Sequence, residues 1–446
     1  MSYDVDAVRQ HFPALRSGTA HFDGPGGSQT PAVVAEAVAR TLTSSIANRG
    51  TVTAAERLAE QTVVAARAAM GDLLGTDPDT VIFGRSMTAN TMELARTLAR
   101  CHGWGPADEV VVSSLDHDAN IRPWVLAAEA VGATVRWAHV DPDTAELPLD
   151  AVTEVLSERT RLVAVTAASN LVGTRPDLHG IIAAAHAAGA LVHVDAVHLA
   201  AHASVDREQL GADLVSCSPY KFFGPHLGVT AGRAELLEQL RPDKLLPSTD
   251  RVPERFELGT LPYELLAGTT AAVDFLAGLA GVAGMAEPAD AAGNRATGPL
   301  PRRRRLLASY AAIEEHEDRL RAQAEAGLRG IDGITVHSRA VRRTPTLLFT
   351  LDGVDPQVVY RLLATRGINA PASHFYAWEC SHRLGLGAAG GVRVGMAPYT
   401  TAEEVDRLLE GVAEVAAARW VARDGGRRTA GRTAPRHALD FVLRKT

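Results

Sequence analysis

Cysteine is nearly absent from this sequence. Only Cys101, Cys217 and Cys380 occur in 446 residues, an odd and widely spaced set that offers no CxxC pair for a metal and fits a reducing compartment. Each of the three is expected to be a small buried apolar residue. Long hydrophobic runs are missing too: none approaches the roughly 20 residues that span a bilayer, and the opening "MSYDVDAVRQHF" lacks a signal-peptide core. A cytoplasmic protein with no membrane partner is the expectation. Excess positive charge is absent, the net charge being -7, which excludes nucleic acid or an anionic membrane as a bulk partner. No GxGxxG loop opens the first βαβ unit, so a nicotinamide-binding oxidoreductase is not supported. Lysine is scarce, and arginine carries most of the basic charge.

What is present reads as an ordinary globular composition, 46% hydrophobic and 22% charged, in a chain long enough for two domains. Between residues 80 and 235, short β-branched runs alternate with alanine-rich helical ones, the pattern of βαβ units around a mainly parallel sheet. The strand candidates are "TVIFG" (80 to 84), "EVVVSS" (109 to 114), "ATVRWAHV" (133 to 140), "TRLVAVTAAS" (160 to 169), "ALVHVDAV" (190 to 197), "ADLVSCS" (212 to 218) and "GVTAGR" (228 to 233). Helix candidates lie between them, and "LHGIIAAAHAAG" closes on a glycine that suits a helix C-terminus. After residue 300 comes a long charged helix, "RRRRLLASYAAIEEHEDRLRAQAEAGL", then "GITVHS", "TPTLLFTL", a helix near "PQVVYRLLATRG" and a strand near "GVRVGM". The expected organisation is α/β. An N-terminal segment (1–30) joins the small domain and the active-site entrance, a large domain covers 31–284, an inserted loop 285–301, a smaller α+β domain 302–420 and a basic tail 421–446.

Three features fall after strand ends, where α/β sheets place ligands. "GRSMTANT" runs from a strand into a helix, so its free backbone N–H groups, with the Ser86 and Thr88 hydroxyls, form an anion site; a plain N-cap accounts for the same residues. Asp195 in "HVDAVH" ends an apolar strand, where a carboxylate must be paired or hydrogen-bonded. Lys221 sits in "SPYKFFGPHLG" beside Ser218 and Tyr220; a lysine kept among apolar or cationic neighbours loses basicity and becomes an amine nucleophile.

Phosphate site, acidic strand end and lysine, in that order, together with "HFDGPGGSQTP", "LDHDANIRPW", "ASNLVGT", "ELGT" and "GVRVGM", resemble the class V aminotransferase family and its cysteine desulfurase-like group. The resemblance implies a fold type I enzyme dependent on pyridoxal 5'-phosphate, with a mainly parallel seven-stranded sheet flanked by helices, acting on an amino acid as a homodimer with shared active sites. It makes Lys221 the Schiff-base lysine and the base at the substrate Cα, Asp195 the partner of the pyridine nitrogen, and His117 the residue stacked on the ring. Asn170 and His198 would lie near the 3'-oxygen, although desulfurases usually carry glutamine at the latter position. Ser86, Met87, Thr88, Ser218 and Tyr220 would hold the phosphate, with Thr260 reaching the neighbouring subunit's phosphate. Arg393 would clamp the substrate carboxylate, while Gly26 lines the substrate entrance with His374 and Tyr376. The family's sulfur-accepting cysteine aligns with Tyr376, and Cys380 lies one helical turn away. Desulfuration on a protein thiol therefore does not follow. A carbon–sulfur lyase is the first reading, transamination, epimerisation and decarboxylation are alternatives, and a cofactor-free binding protein is the reading outside enzymes.

Overall fold

The computed structural model describes residues 3–285 and 300–428. The inserted loop and basic tail expected from the sequence lie mostly outside the described residues.

In chain order the strands are β1 (Ala20–His21), β2 (Val81–Gly84), β3 (Glu109–Ser113), β4 (Thr134–Ala138), β5 (Thr160–Thr166), β6 (Leu191–Asp195), β7 (Leu214–Cys217), β8 (Gly228–Gly232), β9 (Ile334–Val336), β10 (Thr346–Leu351), β11 (Ile368–Asn369), β12 (Ala372–Ser373) and β13 (Gly391–Gly395). All seven strands expected between residues 80 and 235 are present. They form one sheet in the order β2-β8-β7-β6-β5-β3-β4. Pairing is parallel from β7 through β4, and β8 runs antiparallel to both β7 and β2. Covered on both faces, the inner strands are near-continuous apolar runs such as "EVVVS", every residue of which is buried. The order reverses beside β3, the place where an open α/β sheet leaves a crevice at its carboxyl edge.

The helices start where capping chemistry permits. Thr53 and Glu56 make a reciprocal capping box for Ala54–Leu74, and Asp177 caps Leu178–Ala187. The latter helix stops before Gly189, which takes the left-handed φ of 79°. Against the expectation that no apolar run approaches that length, the helix Tyr263–Val282 is long enough and apolar enough to cross a membrane. Half of its most apolar stretch is buried, and the helix packs against Ala32–Leu42, Ala54–Leu74 and Arg302–Arg329.

A second, antiparallel sheet has the order β12-β13-β10-β9. Its core contains Leu320, Leu347, Phe349, Val392 and Val394, and also Ala20 and Phe22 from near the N-terminus. Two backbone contacts hold that early segment in place: β1 pairs with β11, and Asp23 bridges to Gly395 at the end of β13. The N-terminal glycine-rich turn is thereby carried to the edge where the large sheet's carboxyl ends open.

Candidate active site

Five loops from one edge of the large sheet line a single cavity. β2 leads directly into helix Met87–Cys101, whose N-cap is Ser86; its Oγ accepts from the Ala89 amide at 3.1 Å. The N-cap reading is thus correct for Ser86, and the anion reading survives beside it. The amides of Met87 and Thr88 have no partner among the described residues, as the first turn of a helix leaves them, and both residues line the cavity with Ser86. Gly228 makes this close packing feasible, because a methyl group there would overlap the backbone of Ser86 and Met87. Ser218 and Tyr220 line the same cavity. The Tyr220 ring stacks on His226 at 4.7 Å, and its centroid lies 4.9 Å from Lys221 Nζ.

Asp195 ends β6 with its carboxylate buried, and Oδ1 accepts from the Val197 amide at 2.8 Å. Burial raises its pKa to about 6, against the opposing pull of the Val197 amide and of Lys221. His198 follows three residues later. Its Nε2 is 3.0 Å from both the Thr344 and Thr346 hydroxyls, while Nδ1 is buried without a partner among the described residues. Asn170, after β5, donates from Nδ2 to the Phe375 carbonyl at 2.9 Å, and its buried Oδ1 has no partner among the described residues. His117, after β3, accepts the Ala119 amide on Nδ1 at 3.0 Å. Burial, then Lys221 and Arg393, lower its pKa to about 4, so the imidazole is neutral.

Lys221 closes a short 3-10 turn, Pro219–Lys221, after β7. Its Nζ donates to the carbonyl of Pro25 and, at 3.0 Å, to that of Gly26. Burial first, and Arg393 second, bring its pKa down to about 7, with Asp23 and Asp195 pulling the other way. Beyond Lys221 the cavity widens into a cleft bordered by Asp23, Gly26, His117, His374, Tyr376 and Arg393. Arg393 is buried on β13; Nη1 donates to the Asn170 carbonyl at 3.0 Å and Nη2 to Asp23 Oδ1 at 2.6 Å. The Phe375 ring covers the guanidinium at 3.6 Å. Phe375 and Tyr376 both take left-handed φ angles, 48° and 59°, a conformation that costs non-glycine residues energy and is held here by contacts. The Asp118 amide donates to the Tyr376 carbonyl at 2.8 Å, and the exposed Tyr376 ring stacks on His117 at 5.4 Å.

Of the residues singled out from the sequence, Thr260 alone stands apart. It is exposed on a separate groove with Ile82, Phe83, Arg85 and Leu261. Sequence reasoning missed Asp23 and a buried network under the His117 loop. There Asn120 donates from Nδ2 to Asp116 Oδ1 at 2.6 Å, and its Oδ1 lies 2.7 Å from His193 Nδ1. His193 Nε2 in turn meets the Ser216 hydroxyl at 2.9 Å. "LDHDAN" carries the Asp116 and Asn120 signal, but their partners on β6 and β7 are invisible in one dimension. All three thiols lie away from the cleft. Cys380 packs in the main core on helix Trp378–Arg383, its pKa pushed up by burial to about 12. Cys217 is buried and Cys101 is exposed, the latter accepting from the Arg241 amide at 3.3 Å.

A lysine of lowered basicity, a carboxylate at a strand end and an open helix start on one edge of a parallel sheet define the fold type I, pyridoxal-phosphate-dependent class of enzyme. The model of the class-V aminotransferase family matches residues 20–302 and 305–408, and the chain belongs to that family. It is 32% identical over 416 residues to Uncharacterized protein MT3887 of Mycobacterium tuberculosis, covering 93% of this chain and 100% of that one. A cysteine desulfurase of Klebsiella pneumoniae is 30% identical over 436 residues, with 93% of this chain and 99% of the other covered. The solved cysteine desulfurase CsdA of Escherichia coli superimposes with a TM-score of 0.78 at 27% identity, covering 94% of this chain and 100% of that chain. The chain is a cysteine desulfurase-like, pyridoxal-phosphate-dependent enzyme.

Proposed function

We propose that this chain is a carbon–sulfur lyase that binds pyridoxal 5'-phosphate at Lys221 and cleaves a sulfur-containing α-amino acid by β-elimination. The observation that carries this reading is a cluster of candidate cofactor-holding residues facing a cleft that no thiol lines.

The residues present fit the cofactor. Free amides at Met87 and Thr88, with Ser86, Ser218 and Tyr220, suit the phosphate. The ionised carboxylate of Asp195 suits a protonated ring nitrogen, and His198 Nδ1, a buried polar atom without a partner among the described residues, can donate to a ring oxygen. His117, neutral and cavity-lining, suits the ring face. Bound there, the cofactor supplies an electron-withdrawing ring that stabilises negative charge at the substrate Cα.

The protein's own part is positional and acid–base. Arg393 binds the α-carboxylate. Lys221, neutral above about pH 7, takes the proton from Cα. The carbon–sulfur bond then breaks with its electron pair on sulfur, which leaves as a thiol after taking a proton, and water releases pyruvate and ammonia. His374 and Tyr376 border the space that the leaving sulfur would occupy. Transfer of sulfur to the protein would need a thiol in the cleft. We also propose a homodimer: the groove holding Thr260 offers the surface through which a second copy would reach the phosphate end.

The test is incubation with L-cysteine, S-substituted cysteines and ordinary amino acids. Thiol, pyruvate and ammonia in equal amounts, undiminished in Cys380→Ala and abolished in Lys221→Ala, are expected. Alanine formed together with sulfide in a Cys380-dependent way would overturn the reading, as would keto acids formed without ammonia.

A further inference from the structure

Arg393 reaches the cleft already paired. Asp23 Oδ1 sits 2.6 Å from Nη2 and Asn170 O occupies Nη1, while the buried Nε–H has no acceptor among the described residues. The carbonyls of Pro25 and Gly26 converge on Lys221 Nζ, which is an ammonium group below about pH 7. The turn that offers them is closed by its own hydrogen bonds. The Gly26 and Gly27 amides donate to the Asp23 carbonyl at 2.9 and 3.1 Å, and the Gly395 amide donates to Phe22 O at 2.8 Å, tying the turn to the strand that bears Arg393. Two carbonyls on one amine, with the Asp23 carboxylate near enough to favour its charged form, are a receptor for an ammonium group, and in this chain Lys221 is seated in it.

A lysine ammonium has three donors; its nitrogen, once bonded into a cofactor, keeps at most one. The carbonyls then lose a donor, and Pro25 is buried, so leaving its carbonyl unmatched is costly. An α-ammonium group brings the same charge and the same three donors. We propose that the Asp23–Gly26 turn is the receptor for the α-ammonium group of the incoming amino acid, with Arg393 taking the α-carboxylate. This rests on the amino-acid reading above and deepens it: the two ends of the substrate go to the two sides of one ion pair, and Asp23 selects for a free amine.

The experiment removes the resident cation and needs no cofactor. Calorimetric titrations of cofactor-free Lys221→Ala protein with L-alanine and with propionate compare ligands that differ in the α-amine. L-Alanine is expected to bind at least about tenfold more tightly. Asp23→Asn in the same background is expected to bring that ratio close to one, with propionate affinity held within twofold. Gly26→Ala, whose methyl group would overlap the Asp23 carboxylate, is expected to do the same, and thermal unfolding checks that each variant folds. No preference in the Lys221→Ala protein, or an Asp23→Asn change that weakens both ligands alike, overturns the proposal. Cofactor uptake by the wild-type chain, measured separately, decides the function proposed above, so the two readings fail independently.

Discussion

Lys221 has few counterparts in this arginine-rich chain, and its setting inverts that of a surface lysine. Burial and Arg393 favour its neutral form, lowering its pKa from 10.5 to about 7. Between those two pH values the unfolded chain holds more protons than the folded one, so the Lys221 contribution to stability rises with pH across that window. The same shift predicts cofactor uptake. The rate of pyridoxal phosphate incorporation should rise with pH and level off above about 7, as followed by absorbance; a rise continuing towards 10 would show an ordinary lysine. Cys380 makes the opposite point, a nucleophile silenced by its surroundings. Cys380→Ala should leave turnover unchanged and cost about 1–2 kcal/mol of stability through a small core void, measured by denaturant unfolding.

At the scale of elements, the decisive junction is β2 with the start of helix Met87–Cys101. β8 passes close beneath this helix start at a residue without a side chain, so Gly228→Ala should push the helix start away. Cofactor affinity is expected to fall at least tenfold in equilibrium dialysis while the fold persists. A second junction holds β2 to its neighbours: Arg67, on helix Ala54–Leu74, makes a buried two-pronged pair with Glu257 at 2.9 and 2.8 Å, and Glu257 also accepts from the Phe83 amide. Glu257→Gln leaves Arg67 buried without its counter-charge and should cost about 3–5 kcal/mol, read from the unfolding midpoint. The large-sheet strands were legible because each is a β-branched run bounded by turn residues. The two-residue strands β1, β11 and β12 were not, since two residues carry no periodicity. The helix Tyr263–Val282 went unnamed for a related reason: surrounded by other helices, it has no polar stripe to mark its period.

At the scale of the molecule, the site needs both sheets and, on our proposal, two chains. Lys221, Asp195 and His117 come from the large sheet, Arg393 from β13 of the small one, and Asp23 from a segment that folds with the small sheet although it precedes the large one. Thr260 lines a groove separate from the cavity of its own chain. If it serves a partner's, a mixture of Lys221→Ala and Thr260→Ala chains should recover activity that neither has alone, because one of the two sites in a mixed dimer is intact. Failure to recover activity in a verified mixed dimer would show that each site is complete within one chain.

Much of the site was legible because its chemistry is local: a helix start after a strand, an acid at a strand end and a lysine among aromatics each sit within a few residues of sequence. The sequence by itself determined the class of sheet, most of the residues that line the candidate cavity and the lack of a cysteine at position 376, all properties of residue type and short spacing. Only the tertiary structure decided that Cys380 is sealed in the core, that His198 and Asn170 keep orphaned polar atoms, and that Asp23 sits on Arg393. That last pair is 370 residues apart in the chain, and contact between such distant residues is set by how two sheets pack, which no local pattern encodes.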